Sequence, residues 1–118
     1  YLYVYVVGAP GCVAVCDDPA GPFELLSKYQ APEGAPEDFG GHGQYIDPGV
    51  LVDDDGEVYI YWGYKGSHMA QLNPDNMYEI LPNTYQADII PTSSLFDFFE
   101  AASPRKINGT YYLIYADF

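Results

Sequence analysis

Positive charge is nearly missing from this sequence. Four Lys and Arg stand against 17 Asp and Glu in 118 residues, a formal net charge of −13. So few cations cannot neutralise a run of phosphates, which argues against nucleic acid and against an anionic membrane surface as partners. Long apolar runs are missing too, and none approaches the ~20 residues that span a bilayer. Cysteine is scarce: Cys12 and Cys16 are the only two, and both fall in one expected strand, Gly11 to Asp17. Four residues of strand separate them by ~13 Å, far beyond disulfide reach. Two buried thiols on one face are expected, and a zinc site would need partner ligands that the chain does not offer. Reduced thiols lean toward a bacterial cytoplasm over secretion. No leader peptide is visible, but the chain opens in mid-pattern on Tyr1 without Met, so a start upstream is expected and the compartment stays open.

What is abundant is aromatic and turn-forming. There are 13 Tyr, 12 Gly and 10 Pro, with 48% hydrophobic residues, ample for the core of one domain. The acidic balance suits a neutral ligand such as a sugar. The stretch from Tyr45 to Trp62 reads as a β-hairpin. Val50-Leu51-Val52 is a short apolar strand, Asp55-Gly56 a tight turn with both residues suited to positive φ, and Val58 to Trp62 a second strand rich in β-branched and aromatic residues. Pro48 disfavours the helical region for Asp47, so this acid is expected to enter the strand extended. Asp53 to Asp55 are expected to form a solvated acidic tip.

The arrangement recurs. Glu100 stands nine residues before Gly109, as Asp47 stands nine before Gly56; Asn108-Gly109 replaces Asp55-Gly56, and Tyr111 to Tyr115 replaces Val58 to Trp62. A partial third copy, Tyr1 to Val7, matches the strand after the turn. Repeats of this length built from short strands indicate propeller blades, here around residues 1–30, 45–82 and 99–118. Odd and even positions of the strand after each turn are both apolar, so each is expected to be covered on both faces.

Between these hairpins the chain alternates strands and turns with no convincing helix. Cys12 to Cys16 and a short outer strand around Phe23 to Leu26 flank the turn at Asp17 to Pro22. Ala31 to Gly43, rich in Pro, Gly and acids, is a crossing loop. Ser67 to Leu72 and Met77 to Leu81 are strands about an Asn73 to Asn76 turn, and Thr84 to Ser94 is a second crossing with a strand at Ala87 to Ile90. The fold class is therefore all-β, with about two blades' worth of strands. A ring cannot close on so few, so further blades of the parent chain are expected as partners.

In a propeller the first strand of every blade lines the axis, so its starting residues point into one funnel. Asp47 and Glu100 would meet there although they are 53 residues apart. Carboxylates crowded into a partly apolar pocket cannot all ionise freely, and one can then act as an acid near neutral pH. Glycoside hydrolysis needs such an acid and a second carboxylate to activate water. Phe98 and Phe99 directly precede Glu100 and would desolvate it; Tyr45, Phe99 and His42 are candidates for contacting a sugar. Trp62 is expected in the core and His68 at a strand edge. Asp53 to Gly56 is no EF-hand, because positions one and twelve would be Leu51 and Trp62.

These residues resemble family 43 of the glycoside hydrolases, five-bladed β-propellers that include β-xylosidases, α-L-arabinofuranosidases and arabinanases. The match rests on Ile46-Asp47-Pro48, Asp53-Asp54-Asp55-Gly56 and Tyr59-Ile60-Tyr61-Trp62-Gly63. It rests equally on Glu100-Ala101-Ala102-Ser103-Pro104, Lys106-Ile107-Asn108-Gly109 and Tyr111-Tyr112-Leu113. The resemblance implies an inverting mechanism with three acids, Glu100 the general acid and Asp47 the aspartate that orients it and tunes its pKa. The general base would lie upstream of Tyr1, leaving this chain inactive alone. No cofactor is implied, although an axial calcium ion is compatible with the full-length protein. The alternative is a non-catalytic propeller module that binds carbohydrate or a protein.

Overall fold

The computed structural model describes residues 1–6, 9–41, 45–91 and 97–117. Nine strands and no helix are found among them, arranged in three antiparallel sheets. The first contains β1 (Leu2–Val6), β2 (Ala9–Val15) and β3 (Glu24–Lys28), in that order. The second contains β4 (Gly49–Val52), β5 (Val58–Trp62), β6 (His68–Leu72) and β7 (Gln86–Ala87), again in chain order. The third is a hairpin of β8 (Phe98–Ile107) and β9 (Thr110–Asp117). Among the described residues only the middle sheet shows all four positions of a blade. By the sequence repeat, the first supplies positions two to four and the third positions one and two.

The middle sheet is the centre of the molecule. One face of β5 and β6 carries Val58, Ile60, Trp62, His68, Ala70 and Leu72, all buried, and Val13 of the first sheet and Tyr29 just beyond β3 join the same cluster. The alternation is that of a strand with one face in a core. Burying a side chain such as Ile60 contributes roughly 1.5–3 kcal/mol. The opposite face of the middle sheet meets β8 and β9. There Tyr61 and Leu51 line a pocket with Pro104, Tyr111 and Leu113.

Both expected hairpins form, by different turns. Ile107 pairs with Thr110, and Asn108 and Gly109 both have positive φ, as a two-residue turn between twisted strands requires. Around Asp55 only Gly56 does: Gly56 N–H donates to Asp53 O and Asp53 N–H to Glu57 O, a three-residue loop ending in a left-handed glycine. Asp47 is corrected as well. Its φ is +45°, left-handed rather than extended, two residues after Tyr45 at +60°. Aspartate is among the few residues that tolerate this region.

Other expectations shift with the packing. Met77 to Leu81 is not a strand; Ile80 makes only an isolated bridge to Leu72, Glu79 bridges Gln30, and the outer edge resumes at β7 beyond Pro82. Ala87 alone of the expected 87–90 strand is paired, and residues 92–96 of the second crossing lie outside the described residues. β9 is not covered on both faces: Tyr111, Tyr112 and Ile114 are at least half exposed, since no third strand pairs with β9 among the described residues. Cys12 and Cys16 are half-buried rather than buried, and neither forms a disulfide. Cys16 falls past the end of β2, where its sulfur accepts the Asp18 amide at 3.4 Å.

Candidate active site

Asp47 and Glu100 stand at the starts of β4 and β8, and the backbone holds these two starts together from both sides. One residue before each acid, the Ile46 carbonyl accepts the Gly63 amide (3.2 Å) and the Phe99 carbonyl accepts the Lys65 amide (2.8 Å). Two donors from one short turn after β5 thus hold the two carbonyls no more than ~13 Å apart. Two residues after each acid, Gly49 meets Ala102. A Cβ on Gly49 would lie 2.2 Å from the Ala102 carbonyl oxygen and 2.5 Å from Pro104 Cδ, so only hydrogen fits.

The backbone around both acids is irregular. The β8–β9 register slips between Phe98 and Glu100 and again between Glu100 and Ser103, so Glu100 sits between two bulges, and Ala101 has a φ of +62°. Bulges re-aim side chains at sheet edges and next to active sites, and left-handed non-glycine residues cost energy that the surrounding contacts must offset. Glu100 is half-buried and Asp47 exposed. Phe98 is buried against Tyr115 (centroids 5.3 Å apart), whereas Phe99 is half-buried and tilted against Tyr64 (5.2 Å). The Lys65 ammonium lies over the Tyr64 ring at 5.3 Å.

Of the residues expected to contact a sugar, Phe99 is half-buried and adjoins Glu100 in the chain. Tyr45 is corrected: it is 2% exposed, with Tyr29 and Trp62 packed on it at 4.7 and 5.1 Å, and no face remains for a ligand. His42 lies outside the described residues. Trp62 is fully buried and its Nε1 donates to the Gly40 carbonyl (2.9 Å). His68 is not at an edge, because β6 pairs on both sides; its ring stacks on Trp62 and Tyr85, with Nδ1 2.9 Å from the Tyr85 hydroxyl. Sequence reasoning missed Tyr64 and the Gly63–Lys65 turn. The available signal was two glycines, Gly63 and Gly66, bracketing an aromatic and a lysine just past the strand that follows the first acid.

At the far end of the same two hairpins the acids do something else. Asp53 is not at a solvated tip: Lys106 Nζ lies 2.6 Å from its Oδ1, the Tyr111 hydroxyl donates to its Oδ2 at 2.5 Å, and its side chain is 9% exposed. Lys106 also reaches Asp54 at 2.8 Å. Hydrogen bonds from Lys106 and then Tyr111 pull the Asp53 pKa down to about 2, and the same carboxylates hold the Lys106 ammonium above the ordinary lysine range. This cluster locks β4–β5 to β8–β9 and leaves their other ends to the acids. Among the described residues no three His, Cys, Asp or Glu side chains gather as a metal ion would need.

Comparison with known proteins follows the same outline. Residues 3–117 match the sequence model of Glycosyl hydrolases family 43. A beta-xylosidase from Xylanibacter ruminicola is 33% identical, the match covering 88% of this chain and 40% of that protein. A xylosidase/arabinosidase from Thermoclostridium stercorarium is 34% identical, over 98% of this chain and 28% of its own length. The solved structure of an alpha-L-arabinofuranosidase from Clostridium thermocellum matches with a TM-score of 0.68 at 31% identity, covering 100% of this chain and 39% of that one. The chain therefore spans well under half of each of these relatives, and its three sheets are part of a β-propeller. On the match across 3–117, this chain belongs to family 43 of the glycosyl hydrolases.

Proposed function

We propose that the protein carrying this chain is an inverting glycosidase acting on xylose- or arabinose-containing plant polysaccharides or their oligosaccharides. Glu100 is its general acid, and Asp47 orients Glu100 and tunes its protonation. The observation that carries the reading is the bracketing of the two acids: equivalent positions before and after each are held against one turn and one another. The substrate class is supported by the activities of the relatives, a beta-xylosidase, a xylosidase/arabinosidase and an arabinoxylan arabinofuranohydrolase.

In this reading the half-buried Glu100 protonates the glycosidic oxygen as the bond to the sugar breaks. Water attacks the opposite face of the ring, activated by a carboxylate that the parent protein supplies from outside residues 1–118. Phe99 and Tyr64 offer a partly open aromatic surface beside the acid for the apolar face of a sugar. Residues 1–118 alone then bind weakly and do not turn over. The test is hydrolysis of aryl β-xyloside and aryl α-L-arabinofuranoside by the full-length protein and by its Glu100→Ala variant. A loss of 10²–10⁴-fold in the variant is expected for a general acid; undiminished turnover removes Glu100 from the mechanism.

A further inference from the structure

The geometry points to the Gly63–Lys65 turn as a positioning clip that sets the distance between the two carboxylates. The inference rests on the reading of Asp47 and Glu100 as a working pair and adds the element that holds them. Four observations converge on it. The Gly63 amide holds the carbonyl before Asp47, and the Lys65 amide holds the carbonyl before Glu100. Both donors come from one turn, so the two strand starts cannot separate without breaking one bond or distorting the turn. The turn is itself held in an unusual shape: Gly63 has a φ of +146° and Lys65 of +58°. A Cβ on Gly63 would lie 1.9 Å from the Gly66 carbonyl oxygen and 3.2 Å from Phe98 Cε1, so a side chain there must open the turn or push Phe98 away. Finally, the Tyr64 ring packs on Phe99, adding a side-chain contact parallel to the Lys65–Phe99 hydrogen bond.

Neither Gly63 nor the Lys65 amide needs to touch substrate. Their effect passes through Ile46 and Phe99 to the neighbouring acids, which makes them positioning residues. Reacting groups misplaced by ~1 Å can lose on the order of 10²-fold in rate even when the altered residue is remote. A changed spacing between two carboxylates also changes how readily the pair gives up its protons, so the pH dependence of kcat moves with it.

The experiment uses the full-length protein with two alterations. Gly63→Ala opens the turn. Replacement of Lys65 by its α-hydroxy acid turns one amide into an ester, deleting the N–H that meets Phe99 and keeping the side chain. Both are assayed on aryl xyloside and aryl arabinofuranoside beside wild type and Glu100→Gln, with thermal melts recorded. The clip predicts a fall in kcat of about 10-fold for the ester and on the order of 10²-fold for Gly63→Ala, KM within about two-fold, and a displaced pH profile for each. In crystals of the ester variant the separation of the Asp47 and Glu100 carboxyls changes by at least ~0.5 Å. An unchanged separation, or an ester variant with wild-type kcat and pH profile, overturns the clip. If Gly63→Ala fails to fold, the ester variant decides. Full activity in Glu100→Gln instead overturns the catalytic reading, and the crystallographic separation still judges the clip.

Discussion

Lys106 reaches Asp53 at 2.6 Å across 53 residues of chain, one repeat length, and so ties equivalent hairpins of adjacent sheets together. Tyr111 adds a second hydrogen bond to the same carboxylate. Asp53→Asn keeps the shape and removes the charge. It is expected to lower the thermal midpoint by a few degrees, with Lys106→Met giving a similar loss and the double variant little more than either. A double-mutant cycle in thermal denaturation measures this coupling.

The same cluster sets a pH dependence. Asp53 has a folded pKa of about 2 against an ordinary 3.8, so its contribution is fully present above the ordinary value and is lost as pH falls from about 4 toward about 2. Lys106 is shifted the other way, so its share is present at and below neutral pH and fades only at strongly alkaline pH. Acid titration of stability should therefore be shallower in Asp53→Asn than in wild type between about pH 4 and 2.

Gly49 tests how closely the two acid-bearing strands must approach. Its φ is not in the left-handed region, so alanine is acceptable to the backbone and what opposes it is the close approach to the Ala102 carbonyl and to Pro104 Cδ. Gly49→Ala should cost about 1–3 kcal/mol through overpacking, and it should lower kcat by moving the start of β4 away from β8. Denaturant unfolding and steady-state kinetics read the two effects separately.

His68 predicts a second pH window. Burial among Trp62 and Tyr85 lowers its pKa below 6.5, with Asp88 opposing. A lowered histidine gives stability that is complete above 6.5 and declines as pH falls toward its folded value. Tyr85→Phe deletes the hydroxyl 2.9 Å from Nδ1 and should cost about 1 kcal/mol near neutral pH. Histidine titration by NMR, with melts at pH 7.5 and 5.5, checks both.

Much of this architecture was legible in the chain, and the exceptions share a cause. Val58 to Trp62 was read to the residue, because β-branched and aromatic residues follow a strong turn signal. The approach of the start of β4 to the start of β8 was legible because two hairpins of one pattern stand a fixed distance apart in the chain. The left-handed φ of Asp47 was not, since the rule for residues before proline is local and the hydrogen bond from Gly63 to Ile46 is not. Asp53 looked like part of a solvated tip for the same reason: its partners Lys106 and Tyr111 are 53 and 58 residues away. Tyr45 looked like a sugar platform because it stands two residues before the acid, whereas its neighbours in space are Tyr29 and Trp62. Periodicity reports which residues share an element; it is silent on which side chains of other elements meet them.

The role proposed for Glu100 is to deliver a proton to the departing group. The most direct measurement compares Glu100→Gln with wild type, in the full-length protein, on two glycosides of the same sugar. One has a poor leaving group that needs protonation; the other, a dinitrophenyl glycoside, does not. Proton delivery by Glu100 predicts a loss of 10²–10⁴-fold on the first and a small loss on the second. An equal loss on both, or none on either, contradicts it.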